Sequence, residues 1–577
     1  MTHDHDMRDG GGSTRLDSEI DLSSIRQQAP GSRKDHGTLR QHPTPSAERR
    51  SADEDPAVAD SDQVFFMVKQ LGRPDTETET VPSIHIGRSI WRARRLLSQL
   101  RIDEGLELIA RIERALVHLR PGKADVFRKD VGLLRTMALA MQDSCHAAFA
   151  TASALLGKNA SHTDNAAAAA LCRFAHWQLG HLGHVDASVW GGRNTALAGH
   201  RMPADILSLI VDAAIELQQL RLSAARRTAM EALGLAERLD RPEPALAALA
   251  ASVAAQALYE EGLLEEAEEL LLRRLETIKA TGLLDSVWRT HFILSRIAAQ
   301  REQYDFALLL LRQAETIGQK RGWSRLIAAC FEERLNLLLR AGRAKEAELY
   351  AARLDRFAAG FEPRGSEPAI TIRRHRDIAH VRLDLAAEQA AAALAELQRL
   401  HAEAIQRHDL LLALRLGLQK AAALEMLGRP AQAETLVLRA LRLGAILGLF
   451  QIFIDEGTAV GGIVRRVYEN ALKPGGDAAD ILVYAGGLIS HGDTVAPVPS
   501  KSKSKPKSYD CLSTREQDIL RLVSQGLSNK RIAQSLKIAP ETVKSHIKRI
   551  FSKLAVKTRA EAVARADALG LLIVSTQ

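Results

Sequence analysis

A small residue recurs along most of this chain at intervals of about 40 residues, after a polar turn and before an apolar stretch. Repeats of this length are typical of arrays built from helix pairs. One pair cannot bury its apolar face alone, so neighbouring pairs are expected to stack into a solenoid. The positions are Gly105, Ala147, Ala187, Ala225, Ala267, Ala307, Ala347, Ala390 and Ala433.

The composition of residues 85–487 favours helices throughout. The stretch is rich in Ala, Leu, Glu, Arg and Gln, and only 4% of the chain is aromatic. In the clearest copies, Gly262, Gly342 and Gly428 stand in the turn between the two helices of a pair. A helical domain without true repeats remains the alternative. We predict an all-α chain with a helical-repeat solenoid at residues 85–487.

Two segments outside the array have compositions typical of unfolded chains. Residues 1–84 are polar, charged and rich in Gly and Pro, which predicts a disordered N-terminal tail. Residues 488–509 include the run Lys501-Ser-Lys503-Ser-Lys505-Pro-Lys507, which predicts a flexible basic linker.

Residues 510–577 divide into four helices. Ser513 and Glu516 have the spacing of a capping box at the first helix start, and Ser528 can cap the second helix. Pro540 stands in the first turn of the third helix, where proline is favoured. A break of about three residues between the second and third helices is typical of a helix-turn-helix, here at about residues 529–548.

The third of these helices has two different faces. Val543, Ile547, Ile550 and Leu554 recur at helical spacing and predict one buried stripe. The other face carries polar side chains that can donate to phosphates and to guanine N7 and O6. They are Lys544, Ser545, Lys548 and Arg549. The alternative is an ordinary amphipathic helix with a solvated basic face.

The C-terminal segment resembles the LuxR-type helix-turn-helix family. The motifs that carry the resemblance are Leu512-Ser513-x-Arg515-Glu516, Gly526-Leu527-Ser528-Asn529-Lys530-x-Ile532-Ala533 and Thr542-Val543-Lys544-x-His546-Ile547. The resemblance implies base contacts by Lys544, Ser545 and Lys548, and phosphate-side positions for Asn529, Lys530 and Thr542. It also implies dimerisation through the fourth helix, on the face that includes Ala562 and Ala566.

The middle region resembles the tetratricopeptide-like sensor domain of the MalT-like regulators. After the last repeat, Phe450-Gln-Ile-Phe453-Ile-Asp455-Glu456-Gly457 is similar to an element that those proteins carry before their DNA-binding domain. Those regulators also contain an ATPase module. This chain has no GxxxxGK[ST] phosphate loop, so the resemblance does not extend to an ATP-driven switch.

Charge and motif content narrow the class of function. The net charge is +8, and residues 510–577 hold twice as many Lys and Arg as Asp and Glu, which is typical of nucleic-acid binding. No nucleophile elbow or Rossmann glycine cluster occurs. The four cysteines are scattered and suggest a reducing cytoplasm, and no apolar run is long enough for a membrane span.

We therefore predict a cytoplasmic transcriptional regulator that is not an enzyme and uses no cofactor or metal. Its expected partners are double-stranded DNA, bound as a homodimer, and an unknown small-molecule or protein effector. RNA polymerase is a further candidate partner. The alternative is a protein-interaction scaffold that uses the helix-turn-helix only as a DNA anchor.

Overall fold

The computed structural model describes residues 81–119, 121–156, 162–180, 203–239, 244–361, 367–473, 479–493, 512–554, 556 and 558–568. All of these described residues belong to one unit. Their regular elements are helices, and no strand occurs within these ranges. The predicted all-α fold class is confirmed.

The helices fall into an array and a C-terminal group. The first part of the array comprises α1 (Val81–Ser98), α2 (Ile102–Leu116), α3 (Pro121–Met141), α4 (Cys145–Leu155), α5 (His162–Gln178), α6 (Pro203–Gln218), α7 (Leu222–Glu237), α8 (Pro244–Glu260), α9 (Leu264–Leu272), α10 (Leu275–Thr281) and α11 (Leu284–Gln300). The array continues with α12 (Tyr304–Arg321), α13 (Ser324–Arg340), α14 (Ala344–Ala359), α15 (Glu367–Ala386), α16 (Ala390–Gln406), α17 (Leu410–Met426), α18 (Pro430–Leu447), α19 (Gln451–Asp455), α20 (Gly457–Leu472), a 3-10 helix (Ala479–Ile481) and α21 (Leu482–Asp493). The C-terminal group comprises α22 (Thr514–Ser524), α23 (Asn529–Ser535), α24 (Pro540–Lys553) and α25 (Arg559–Ala568).

The small residues of the repeat share one place, the fourth residue of the second helix in a pair. Each is buried, and its amide donates to the carbonyl of the residue just before the helix. A side chain at Gly105 would meet Leu97, since an added Cβ would lie 2.6 Å from Leu97 Cδ2. The small residue therefore lets the two helices of a pair approach closely. The described members are Gly105, Ala148, Ala225, Ala267, Ala307, Ala347, Ala393 and Ala433.

Two predicted repeat positions have the wrong register. Ala147 is exposed, and its neighbour Ala148 is the buried fourth residue of α4. Ala390 is the first residue of α16, whose fourth residue is Ala393. Alanine is frequent around both positions, so its identity alone could not set the register. Ala187 lies outside the described residues.

The turn before each of these helices requires one left-handed residue. Glycine stands there at Gly262, Gly342 and Gly428, where φ lies between 69° and 79°. Leu220 and Glu302 adopt the same conformation in other repeats, although side chains disfavour it. Glycine therefore marks only some of the turns, which explains why the other repeats have a weaker sequence signal.

Segments far apart in the sequence meet as the array curves. Helix α17 contacts α6, and Leu217 and Leu222 share an apolar core with Leu411 and Leu441. The indole nitrogen of Trp323 donates to the carbonyl of Met141 at 2.7 Å. These contacts close the array on itself, beyond the stacking of neighbouring pairs.

A buried polar group, the Asp455 cluster, forms a second closing contact. It consists of Asp455 on α19 and four side chains that donate hydrogen bonds to its carboxylate, those of Tyr259, Arg296, Gln300 and Gln451. Tyr259 approaches to 2.8 Å and Arg296 to 2.6 Å. The short helix α19 is thereby joined to α8 and α11.

Phe450 lies against the same part of α8. Its amide donates to the carbonyl of Glu260 at 2.7 Å. Its ring covers Gly262, where an added Cβ would lie 2.9 Å from Phe450 Cδ1. Gly262 is therefore required twice, for its left-handed conformation and for this close approach.

Glu260 makes the stability of this region depend on pH. Burial raises the pKa of its carboxyl group to about 7, although Arg415 lies 3.6 Å away. The unfolded chain holds this proton less tightly, so the folded state takes up a proton as pH falls below about 7. The stability that the group contributes is therefore present at low pH and lost as pH rises through about 7.

Glu260→Gln removes this titration and keeps the size of the side chain. We expect its thermal midpoint, relative to the unmodified chain, to rise between about pH 5 and about pH 8. Glu346→Gln is the matched control, because Glu346 pairs with Arg343 on the exposed side of α14. A pH-independent difference between Glu260→Gln and the unmodified chain would contradict the assignment.

The ends of the array differ from the predicted boundaries. Helix α1 begins at Val81, before the predicted boundary at residue 85. Helix α21 continues past Gly486 and Gly487 to Asp493, because Gly486 packs on the ring of Tyr468 and Leu488 is buried. The rest of the predicted tail and linker lies outside the described residues. None of the described helices is both long and apolar enough to cross a bilayer.

Candidate nucleic-acid interface

The C-terminal domain begins with the predicted capping box. The hydroxyl of Ser513 accepts from the amide of Glu516 at 3.3 Å, and the Glu516 carboxylate accepts from the amide of Ser513 at 2.7 Å. Thr558 caps α25 in the same way by accepting from the amide of Glu561 at 3.2 Å. These local bonds set where α22 and α25 begin.

The four helices enclose one small apolar core. Helix α22 packs on α24 and α25, and α23 packs on α24. The predicted stripe of α24 faces inward: Val543, Ile550 and Leu554 are buried, and Ile547 is half-buried against them. One face of α24 is thus committed to the core, which leaves the other face to solvent.

Three charged side chains connect the helices of this small domain through contacts that the sequence motifs did not predict. Arg515 donates to the carbonyl of Leu536 at the end of α23, at 2.6 Å. Arg559 donates to the carbonyl of Val523 at 3.3 Å. Lys553 pairs with Glu516 at 3.0 Å. Helix ends leave carbonyls without partners, but Arg515 and Arg559 lie 21 and 36 residues from the carbonyls that they contact, so no local sequence signal pairs them.

Glu516 is held in its charged form by these contacts. Burial alone would raise the pKa of its carboxyl group, but the Ser513 amide and the Lys553 ammonium group outweigh burial and lower the pKa. The cap of α22 and the end of α24 are therefore joined through one carboxylate.

The outward face of α24 carries the predicted DNA-binding residues. Thr542, Lys544, Ser545, Lys548 and Arg549 are all exposed. The side chain of Lys544 is 73% exposed and lies 3.8 Å from Glu541, a weak surface pair. A helix with basic and hydroxyl side chains on its free face can enter a major groove and donate to base edges and phosphates.

The two predicted residues of α23 differ from each other. Lys530 is exposed near the start of α23. Asn529 is half-buried, and its side-chain oxygen accepts from Arg559 at 3.4 Å. Asn529 therefore has a contact within the domain in addition to its predicted phosphate-side position.

The structure corrects the dimer contact predicted for Ala562 and Ala566. Both residues are 0% exposed and pack in the core of the domain. Their side chains cannot meet a second copy while the domain keeps this shape, because they are enclosed in the core that α25 shares with α22. The face of α25 that remains exposed includes Ala560, Glu561 and Ala564, and pairing through α25 would have to use this face.

The domain contacts the array at Leu512 and at Asp518, and we call these the docking contacts. The amide of Leu512 donates to the carbonyl of Ile446 at 2.7 Å, and Ile446 packs against the core of the domain. Asp518 on α22 lies 3.8 Å from Arg221, in the turn before α7. Burial, together with the nearby charge of Arg521, lowers the pKa of Arg221. Docking uses α22 and leaves the outward face of α24 exposed.

Comparison with known proteins identifies both parts of the chain. Residues 510–566 match the family of bacterial regulatory proteins, luxR family. Residues 129–470 match the MalT-like TPR region, which covers more than half of the chain.

The curated relatives are similar over a short part of this chain. Response regulator protein VraR of Staphylococcus epidermidis is 35% identical over 89 residues, 15% of this chain and 43% of that protein. VraR of Staphylococcus saprophyticus is 34% identical over 80 residues, 14% of this chain and 38% of that protein. The chain thus spans less than half the length of these relatives.

Among solved structures, a Rap protein complexed with competence and sporulation factor aligns with 71% of this chain and 100% of its own. The TM-score is 0.42 and the sequence identity is 12%, too low to support any argument about function. The extent and position of the family matches decide the assignment: the chain belongs to the family with a MalT-like TPR region and carries a C-terminal domain of the luxR family of bacterial regulatory proteins.

Proposed function

We propose that this chain is a sequence-specific DNA-binding transcriptional regulator. The observation that carries the proposal is α24, whose apolar face is buried in a luxR-family domain while its basic face is exposed. In this role Lys544, Ser545 and Lys548 contact base edges. Lys530, Thr542, Arg549 and Asn529 contact or position phosphates. Base contacts specify the sequence, and phosphate contacts set register.

The helical array is the sensing part in this proposal. A solenoid offers a long surface on which a small molecule or a protein can bind. A ligand shifts the regulator only by as much as its affinity differs between two states of the protein. The proposal includes no catalytic step and no cofactor. It places the chain in the cytoplasm with double-stranded DNA, and RNA polymerase remains a candidate contact of the DNA-bound protein.

The experiment that tests the proposal is selection of bound DNA from a random-sequence pool by the full chain. We expect enrichment of an inverted repeat whose half-sites lie about one helical turn, or a multiple of it, apart, as a homodimer requires. The Lys544→Ala, Lys548→Ala double variant is the control and should enrich no sequence. Enrichment of an unpaired site would contradict the homodimer, and no enrichment by the unmodified chain would contradict sequence-specific binding.

Effector binding needs a separate measurement. A concentration-dependent rise of the thermal midpoint with a small molecule would identify that molecule as a ligand of the folded protein. A protein that co-purifies with the chain at constant stoichiometry would identify a protein effector.

A further inference from the structure

The two docking contacts come from parts of the array that are distant in sequence. Ile446 lies near the end of α18, whereas Arg221 lies in the turn between α6 and α7. The DNA-binding domain contacts both at once, through Leu512 and Asp518. It can do so only while these two parts of the array are neighbours.

Closure of the array makes them neighbours. Leu220 and Leu222 flank Arg221 and pack in the same core as Leu441 and Leu447 of α18. The contact between α6 and α17 belongs to the same closure. The domain therefore docks across a seam, which we define as the junction of the α6–α8 segment with the α17–α19 segment.

The chain that follows Ile446 also holds the seam closed. Helix α18 ends at Leu447. Shortly after it, the amide of Phe450 donates to the carbonyl of Glu260, and the carboxylate of Asp455 accepts the hydrogen bonds of the Asp455 cluster. Arg296 approaches Asp455 to 2.6 Å, and both side chains are 2% exposed. The stretch from Ile446 to Asp455 thus contacts the DNA-binding domain through its first residue and holds the seam closed through its last residue.

We propose that seam closure and domain docking are one coupled equilibrium, in which opening the seam at the Asp455 cluster releases the DNA-binding domain. Docking stabilises the closed seam, and the closed seam supplies both halves of the docking surface. The coupling is reciprocal, since two linked equilibria affect each other by the same factor. Its regulatory meaning rests on the proposed function, whereas the coupling itself does not.

Neither docking contact is strong by itself, because a single hydrogen bond contributes about 0.5–1.5 kcal/mol and an ion pair near the surface about 0–1 kcal/mol. The docking contacts comprise one backbone hydrogen bond, one half-buried isoleucine and one ion pair at 3.8 Å, in which Arg521 opposes the attraction of Asp518 for Arg221. Because the face of α24 is exposed in the docked state, release does not uncover it. Release instead frees the domain from the orientation that the array imposes, so that two domains align on paired half-sites more readily than in the docked state.

Hydrogen exchange of the full chain without DNA tests the coupling, because one amide reports each contact. The Phe450 amide, bonded to Glu260, reports seam closure, and the Leu512 amide, bonded to Ile446, reports docking. Asp455→Asn should speed exchange at both amides by roughly tenfold, the factor that corresponds to about 1.4 kcal/mol in an opening equilibrium. Glu346→Gln, which removes the charge of an exposed acid on α14, should change neither amide.

The opposite perturbation starts from the domain. Asp518→Asn weakens docking without changing any residue of the array. Its largest effect should be faster hydrogen exchange at the Leu512 amide. Reciprocity requires a smaller increase at Phe450 as well. Exchange that increases at Leu512 alone would show that docking does not stabilise the seam and would overturn the proposal.

A general loss of stability in Asp455→Asn is recognised at Ala148, whose amide bonds to Ser144 far from the seam. If exchange at Ala148 also increases, Tyr259→Phe replaces Asp455→Asn, because it removes only the 2.8 Å hydrogen bond to Asp455. The proposal is overturned if the seam variant changes Phe450 but not Leu512, or neither amide. These outcomes are independent of DNA binding, so failure of the coupling and failure of the proposed function are distinguishable.

Discussion

Replacing Lys544 and Lys548 with alanine is expected to weaken specific DNA binding by about 1–3 kcal/mol for each residue. Both side chains lie on the exposed face of α24 and away from the core of the domain. Each variant should therefore keep its thermal midpoint while it loses affinity. A lysine that donates to a base edge should also relax the base preference at one position of the site.

The measurement is a gel-shift titration at fixed salt with the DNA selected by the unmodified chain. Lys345→Ala is the matched control, since Lys345 is an exposed lysine of α14 in the array and its loss changes the net charge by the same amount. Repeating the titration at several salt concentrations distinguishes phosphate contacts from base contacts. Each phosphate contact contributes about 0.9 to the slope of the logarithm of affinity against the logarithm of salt concentration. Unchanged affinity in the double variant would contradict the assignment of α24 as the recognition helix.

Replacing Arg296 with methionine is expected to destabilise the array by about 3–5 kcal/mol, the usual result when one partner of a buried ion pair is removed. Arg296 donates to Glu333 at 2.7 Å and to Asp455 at 2.6 Å, and all three side chains are almost fully buried. Burial alone would lower the pKa of Arg296, but Glu333 and Asp455 raise it well above the usual value. The substitution therefore leaves the buried carboxylate of Glu333 without its arginine partner, and it leaves Asp455 with the more distant Arg415, at 3.9 Å.

Thermal unfolding followed by circular dichroism measures this loss, with Arg343→Met as the control. Arg343 also pairs with a carboxylate at 2.7 Å, that of Glu346, but at the surface, where such pairs contribute about 0–1 kcal/mol. Adding Glu333→Gln and Asp455→Asn to Arg296→Met should recover part of the stability, because the two buried carboxylate charges are then absent. Equal effects of Arg296→Met and Arg343→Met would contradict the buried role.

Local signals in the sequence were sufficient for the architecture of the DNA-binding domain. A capping box such as Ser513 and Glu516 is defined by four consecutive residues, and its hydrogen bonds form within them. The stripe of Val543, Ile550 and Leu554 follows from helical periodicity alone. Since a helix that buries this stripe must expose its opposite face, the exposure of Lys544 and Lys548 was predictable as well.

The sequence predicted the presence of the repeats better than it predicted which residue of each repeat is buried. The period of about 40 residues is redundant over many copies, so the array could be recognised even though Ala147 and Ala390 were placed incorrectly. In the second helix of a pair, the buried residue depends on where the preceding turn ends. That turn is marked by glycine at Gly262 but not at Leu220, and a left-handed leucine has no distinct sequence signal.

By itself, the sequence determined the helical class, the order of the two parts and the basic face of α24, because caps, periodicity and charge act over a few residues. Only the tertiary structure decided that Tyr259 and Arg296 meet Asp455, and that Arg221 meets Asp518. It also decided that Ala562 is enclosed within the core of its own domain. Whether distant residues meet depends on the total rotation that accumulates from one helix pair to the next along the array. No short segment of the sequence encodes that total.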